Sequence, residues 1–241
     1  MNSIVLVAYY KHQRLRRILR ELDATPGEFR YVLVRNASGV GIRRAVDRFV
    51  SETARRVDIV ESDTKFTPAL NAGLRLALPG SDMVFYVCSV HTKVHCPSWM
   101  GKCLAWMADH PETGLGGCVQ GTGRLGAHFG NDHGIWMYTR SGDRFDHLKH
   151  IDKAWWARAN KRRLDHVQGG FWAIRPAMVE DIGPLYERFY HGFVDVEYSY
   201  RAMSRGWALG RIPGIAATEG FDPEHPPGTV LSHDRGAYWP G

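Results

Sequence analysis

Two clusters of side chains in this sequence are suited to chemistry. The first is the run Cys88-Ser89-Val90-His91-Thr92-Lys93-Val94-His95-Cys96, directly after the apolar residues 83–87. Lysine offers a compact positive charge that suits phosphate, and His91 lies two residues before Lys93. His91, His95 and Cys96 are metal-ligand types, yet no Asp or Glu stands between Asp82 and Asp109. A set without a carboxylate or a fourth ligand is a poor metal site, so His91 and His95 are the weaker metal candidates beside a metal-free anion site. The second cluster is Asp195-Val196-Glu197, followed by Arg201 and Gly206. On one helix this spacing puts Asp195 and Arg201 on related faces. A carboxylate near a helix start is normally ionised, as a general base must be. Asp195 also fits a plain helix cap.

The elements that must position these residues are legible as periodicity. Residues 4–8, 31–34, 57–60 and 83–87 are short, β-branched or apolar runs that read as buried strands. Between them, 11–22, 42–57 and 68–78 carry apolar stripes at helical spacing, with Pro26-Gly27 and Pro79-Gly80 as breakers. Strands alternating with helices predict an α/β fold with a mostly parallel central sheet and right-handed crossovers. Residues 99–108 read as a helix and 114–119 as a short strand. Residues 120–165 lack clear periodicity and read as an insertion, with a hairpin expected around 135–138. Residues 170–174 read as a strand, Pro176 opens a short helix, 194–204 form a helix closed by Gly206, and 207–212 form the last strand. A single domain over 1–217 follows, with 1–119 as one half and a less regular 120–217 as the other. Residues 218–241 are expected to be a tail or lid.

Composition bounds the partners. The chain has 241 residues and a formal net charge of +6, which favours anionic partners. Arg14, Arg16, Arg17, Arg20, Arg43, Arg44, Arg48, Arg55 and Arg56 of the first sixty residues read as solvated helix faces. Arg158, Lys161, Arg162 and Arg163 form a compact patch that suits an acceptor or a phosphate. The four cysteines form no C-x-x-C pair, which fits reduced thiols in a cytoplasmic protein. The apolar run 4–8 is too short for a membrane span.

The order of elements resembles a GT-A glycosyltransferase, family 2 and its relatives. Residues 4–10 resemble that family's first strand and nucleotide-contacting turn, and Val32-Leu33-Val34-Arg35-Asn36-Ala37-Ser38 resembles its second. Leu70-Asn71-Ala72-Gly73 matches an Asn-x-Gly at the start of the third helix. Gly169-Gly170-Phe171-Trp172 resembles the acceptor-side strand, and Asp195-x-Glu197-x-x-x-Arg201 the catalytic helix. Two departures stand out. The family's D-x-D, which holds a divalent metal on the donor diphosphate, is replaced by Cys88-Ser89-Val90-His91. The Asp that often contacts the nucleobase is replaced by Arg35. The triplet His91-Thr92-Lys93, with Phe171-Trp172 later, is similar to a polysaccharide-associated branch that includes the rhamnan-synthesis group.

This resemblance implies transfer of a sugar from a nucleotide-sugar donor to a hydroxyl of a glycan, protein or nucleic-acid acceptor. It implies Asp195 as base, with Glu197 and Arg201 beside it, and an inverting outcome. The donor would meet Ala8, Tyr10, Arg35, Asn36, Ser38, Asn71, Ser89, His91 and Lys93, with His233 folding back from the tail. Gly170 and Trp172 would face the acceptor. Mn²⁺ or Mg²⁺ is the family's cofactor, yet its acids are missing here. The alternatives are a catalytically silent domain that binds glycan or nucleic acid, and a nucleotidyltransferase of the same fold. Tyr9-Tyr10-Lys11-His12 has no glycine, which counts against the last.

Overall fold

The short apolar runs form strands and the amphipathic stretches form helices. The computed structural model describes residues 1–9, 12–36, 39–88, 92–122, 129–130, 166–167, 169–189 and 194–219. In chain order they build β1 (Asn2–Ala8), α1 (His12–Asp23), β2 (Phe29–Asn36), α2 (Val40–Glu52), β3 (Val57–Ser62), α3 (Phe66–Ala77) and β4 (Val84–Val87). There follow β5 (Thr92–Val94), α4 (Trp99–Asp109), β6 (Thr113–Thr122), β7 (Phe129–Gly130), β8 (Phe171–Ile174), α5 (Pro176–Ile182), α6 (Val194–Ser204) and β9 (Ala208–Glu219).

Among the described residues these strands form one nine-stranded sheet, ordered β3-β2-β1-β4-β8-β6-β9-β5, with β7 on β6. β1 pairs in parallel with β2 and β4, and β2 with β3. β8 runs antiparallel between β4 and β6, and β6 is parallel to β9. The mostly parallel α/β sheet flanked by helices is therefore as expected, with β5, β7 and β8 reversed.

Alternation along the central strands feeds two cores. Val5, Val7, Val32, Val34, Tyr86 and Trp172 face α3, α5 and α6. Ile4, Leu6, Tyr31, Leu33, Phe85 and Phe171 face α1, α2 and α4. Side chains buried on both faces are what a covered parallel sheet requires. Gly73 lets α3 approach closely: a Cβ there would lie 2.7 Å from Val34 and 2.8 Å from Val5.

The structure departs from the sequence reading in several places, among them the following. α2 stops at Glu52, and the extended Thr53 donates its amide to Phe49 O, so residues 53–57 leave the expected helix and lead into β3. β5 was not foreseen. β9 runs past Pro213-Gly214 to Glu219, because Gly214 takes φ 69° and the ladder shifts register between Gly117 and Val119. The expected hairpin at 135–138 and the basic patch at 158–163 lie outside the described residues. No helix among the described residues is long and apolar enough to cross a membrane.

Four arginines close helix C-termini, where the last carbonyls lack partners. Arg55 donates to Asp23 O, Thr25 O and Gly27 O after α1 and stacks over Phe29 at 3.8 Å. The buried Arg30 donates to Leu76 O, Ala77 O and Pro79 O at the end of α3 and pairs with Asp58. Arg175 donates to Met107 O and His110 O at the end of α4. Arg201 donates to Ile182 O and Pro184 O at the end of α5. Arg55 therefore corrects the reading of the early arginines as solvated faces, whereas Arg17 and Arg48 do pair along their helices with Glu21 and Glu52.

Candidate active site

Parallel register brings the carboxyl ends of β1, β2 and β3 together. Ala8 pairs with Arg35, and Arg35 with Glu61. β4 ends beside them, and its continuation is held by β8: Cys88 N donates to Gly170 O at 2.9 Å. This edge is where open α/β sheets bind ligands.

Asp195 is the acid brought to this edge by the start of α6. Its Oδ2 accepts from Gly169 N at 3.1 Å, next to the Gly170–Cys88 contact, and its Oδ1 accepts from Val196 N at 2.9 Å. The side chain keeps 25% exposure, so the carboxylate is fixed and still reachable. His166 was not singled out by the sequence reading. Its Nε2 lies 4.0 Å from Asp195 Oδ2, and the ring is almost wholly buried. A lone histidine in an irregular stretch carries no sequence signal; only the fold reveals its partner.

Glu197 and Arg201 lie one turn apart on α6 and pair with each other. Arg201 Nε is 2.9 Å from Glu197 Oε1 and Nη2 donates to Oε2 at 3.2 Å. Burial raises the Glu197 carboxyl above its ordinary range, and Arg201 partly offsets this. With Arg201 also bound to carbonyls of residues 182 and 184, the pair docks α6 on the turn after α5.

Two expectations are corrected by burial. The Asn71 side chain is fully buried: Nδ2 donates to Leu185 O at 2.8 Å and to Glu187 Oε1 at 3.0 Å, and Oδ1 accepts from Leu185 N at 2.9 Å. It ties α3 to the segment after α5 instead of lining a donor pocket. Trp172 is 1% exposed, packs against Tyr86 and Tyr198 and donates its indole N–H to Val167 O at 3.0 Å. It is a core residue, closed to an acceptor sugar.

The remaining candidates are spread along the edge. Ala8 is buried under the end of β1. Arg35 forms ion pairs with Asp47 at 2.8 Å and with Glu61, so two carboxylates already balance its charge. Asn36 is buried and its Oδ1 accepts from Thr64 N at 3.2 Å, which orders the loop before α3. Gly170 is buried and contributes its carbonyl to Cys88. Lys93 is placed by its backbone only, opposite Thr218 in β5. His95 and Cys96 line a separate cavity of about 380 Å³, with Leu22, Val87 and Trp99. Tyr10, Ser38, Ser89, His91 and His233 lie outside the described residues.

Among the described residues no three His, Cys, Asp or Glu side chains gather as a metal-ligand set. Cys88 is the described residue at the end of β4, and no acid follows before Asp109. The residues present there do not fit an acid-held divalent ion.

No protein-family model and no curated protein matches this sequence. Solved structures do match by fold. S. aureus TarS superposes with a TM-score of 0.64 at 13% identity, covering 92% of this chain and 37% of that one. TarS 1–349 in complex with UDP-GlcNAc gives 0.60 at 13% identity, covering 92% of this chain and 59% of that one. Glucosyl-3-phosphoglycerate synthase from Mycobacterium tuberculosis, in complex with Mn²⁺, UDP-glucose and phosphoglyceric acid, gives 0.55 at 12% identity, covering 88% and 68%. The chain thus spans 37% of the full TarS chain and about 60% of its 1–349 fragment. The fold is that of these GT-A-type glycosyltransferases.

Proposed function

We propose that this chain is a glycosyltransferase that moves a sugar from a nucleotide-sugar donor, UDP-linked in the first instance, to a hydroxyl acceptor with inversion. The observation that carries the reading is Asp195, the reachable carboxylate fixed on Gly169 beside the carboxyl end of β4. In this reading the acceptor oxygen attacks the anomeric carbon while its proton passes to Asp195. The bond from the anomeric carbon to the β-phosphate oxygen breaks, and the nucleoside diphosphate leaves with the electron pair. General-base assistance of this kind contributes about 10²–10⁴-fold to rate. Inversion follows from one displacement on the face opposite the leaving group.

Lys93 and His91, next to the end of β4 in sequence, supply the charge that the leaving diphosphate needs. The absence of any acid between Asp82 and Asp109 supports a metal-independent donor site. That same absence favours a second reading, a catalytically silent domain that binds nucleotide or glycan.

A thermal-shift panel of UDP-, GDP-, TDP- and CMP-sugars, each with EDTA or with Mn²⁺, tests the reading. Stabilisation by one nucleotide class in EDTA is expected; no stabilisation by any of them sinks the transferase reading, and a strict Mn²⁺ requirement sinks metal independence. Asp195→Asn should keep donor binding and lose turnover. Donor binding with no turnover in either protein leaves the silent domain as the better account.

A further inference from the structure

We propose that His166 is the positioning residue of Asp195, holding its carboxylate in the orientation a base needs; the inference rests on the reading of Asp195 as that base. The segment carrying His166 is pinned to α6 and to the core at Val167 and at Gly169. Val167 N donates to the buried Ser199 Oγ at 3.0 Å, and Gly169 N to Asp195 Oδ2 at 3.1 Å. Val167 O accepts the Trp172 indole N–H. On its other side Val167 is pressed against β6, where a Cβ on Gly117 would lie 2.4 Å from Val167 Cγ1. A backbone held this way leaves the neighbouring imidazole little freedom, and its Nε2 faces Asp195 Oδ2 at 4.0 Å.

That distance is too long for a hydrogen bond; it is an ion pair when the imidazole is protonated, and in either state the buried ring packs against the carboxylate and limits its rotation. The other two groups at the carboxylate are backbone amides, Gly169 N on Oδ2 and Val196 N on Oδ1. Among the described residues His166 is therefore the side chain that backs Oδ2 in the orientation the Gly169 amide gives it. Glu197 does not compete for it, because Glu197 is turned to Arg201. During transfer the acceptor proton passes to Asp195 as above, and His166 takes no part in that proton transfer. Its contribution is to orientation, where a displacement of about 1 Å can cost about 10²-fold in rate.

Two substitutions separate this role from a purely structural one. His166→Leu fills the space without a polar atom. His166→Gln keeps an N–H near the Nε2 position. With UDP-glucose or UDP-GlcNAc consumption as the assay, and sites counted by UDP binding, His166→Leu should lower kcat about 10- to 100-fold with donor KM changed less than about twofold. His166→Gln should recover most of that loss. The Gly169 amide, which donates to Asp195 Oδ2, should exchange with solvent faster in His166→Leu and at close to the wild-type rate in His166→Gln.

Wild-type kcat per site in His166→Leu overturns the inference. So does an equal loss in both variants, or a Gly169 amide that exchanges at the wild-type rate in His166→Leu. Asp195→Asn tells the two failures apart: full turnover there overturns the base itself, whereas an inactive Asp195→Asn beside a fully active His166→Leu overturns only the role of His166.

Discussion

Asn71→Leu separates the two roles that its Asn-x-Gly setting allows. The leucine is close in size and removes all three hydrogen bonds of the buried carboxamide. Two of these are to the backbone of Leu185 and are worth about 1 kcal/mol each, and the one to the Glu187 carboxylate about 1.5–3 kcal/mol. Stranding the buried amide and carbonyl of Leu185 adds to the loss, so the expected destabilisation is about 4–5 kcal/mol. Against a total of about 5–15 kcal/mol the protein should still fold. Urea unfolding followed by tryptophan fluorescence should show the midpoint falling by roughly 1–2 M for a slope of about 2.5 kcal/mol per M. Donor affinity, measured by calorimetry at low temperature where the variant is folded, should match wild type. An unchanged midpoint with donor affinity reduced tenfold or more would mean that the carboxamide faces the donor, and the reasoning would fail.

Further outcomes follow from the same geometry. Trp172→Phe should lower stability by about 1–3 kcal/mol through lost ring volume and a stranded Val167 carbonyl; a raised acceptor KM with unchanged stability would place the indole at the acceptor after all. Glu197 should show in the pH dependence of stability. Burial raises its carboxyl in the folded chain, so its contribution is fully present below the unfolded glutamate value of about 4.3 and is lost as pH rises through the folded value. Relative to Glu197→Gln, the wild-type Tm should therefore fall as pH increases from about 4, and a difference independent of pH would contradict this. Cys96 should be the first thiol alkylated by iodoacetamide. A hydrogen bond from Ser98 and the nearby Lys102 bring its thiol below the ordinary value, while burial pushes Cys103 up. Peptide mass spectrometry that finds Cys103 modified first would overturn this order.

The sheet was readable wherever burial is two-sided. β1, β2 and β4 are continuous apolar runs with no competing helical pattern, and α1 and α3 have clean stripes. β5 was missed because three residues carry too little periodicity to stand out. The second half of β9 was missed because Pro213-Gly214 is the usual mark of a stop; here the positive φ of Gly214 makes a bulge and pairing resumes beyond it. In the site, residue type said which side chains were capable of contact, and only packing decided which were free to make it. Asp195 sits at a helix start and remains reachable. Asn71 and Trp172 are of the right types, but their polar atoms are already satisfied in the core. The pairing of His166 with Asp195 depends on β8 lying against β4 and on α6 crossing that end, a long-range arrangement that no local pattern encodes.

The arginines that close the helices have a consequence for the field around the molecule. A helix is equivalent to about half a positive charge at its start and half a negative charge at its end. The negative ends of α1, α3 and α4 are covered by Arg55, Arg30 and Arg175. These ends lie at the amino edge of the parallel strands, since each helix returns there before the next strand. The starts of α1, α2 and α3 lie at the opposite edge, and none has an acid in its first turn. The dipoles of α1 and α3 are thus screened at one end and bare at the other. The starts of α1, α2 and α3 therefore bring positive charge to the carboxyl edge of the sheet, beside the carboxylates of Glu61 and Asp195, and because it comes from peptide groups that do not titrate it favours an anion there at any pH.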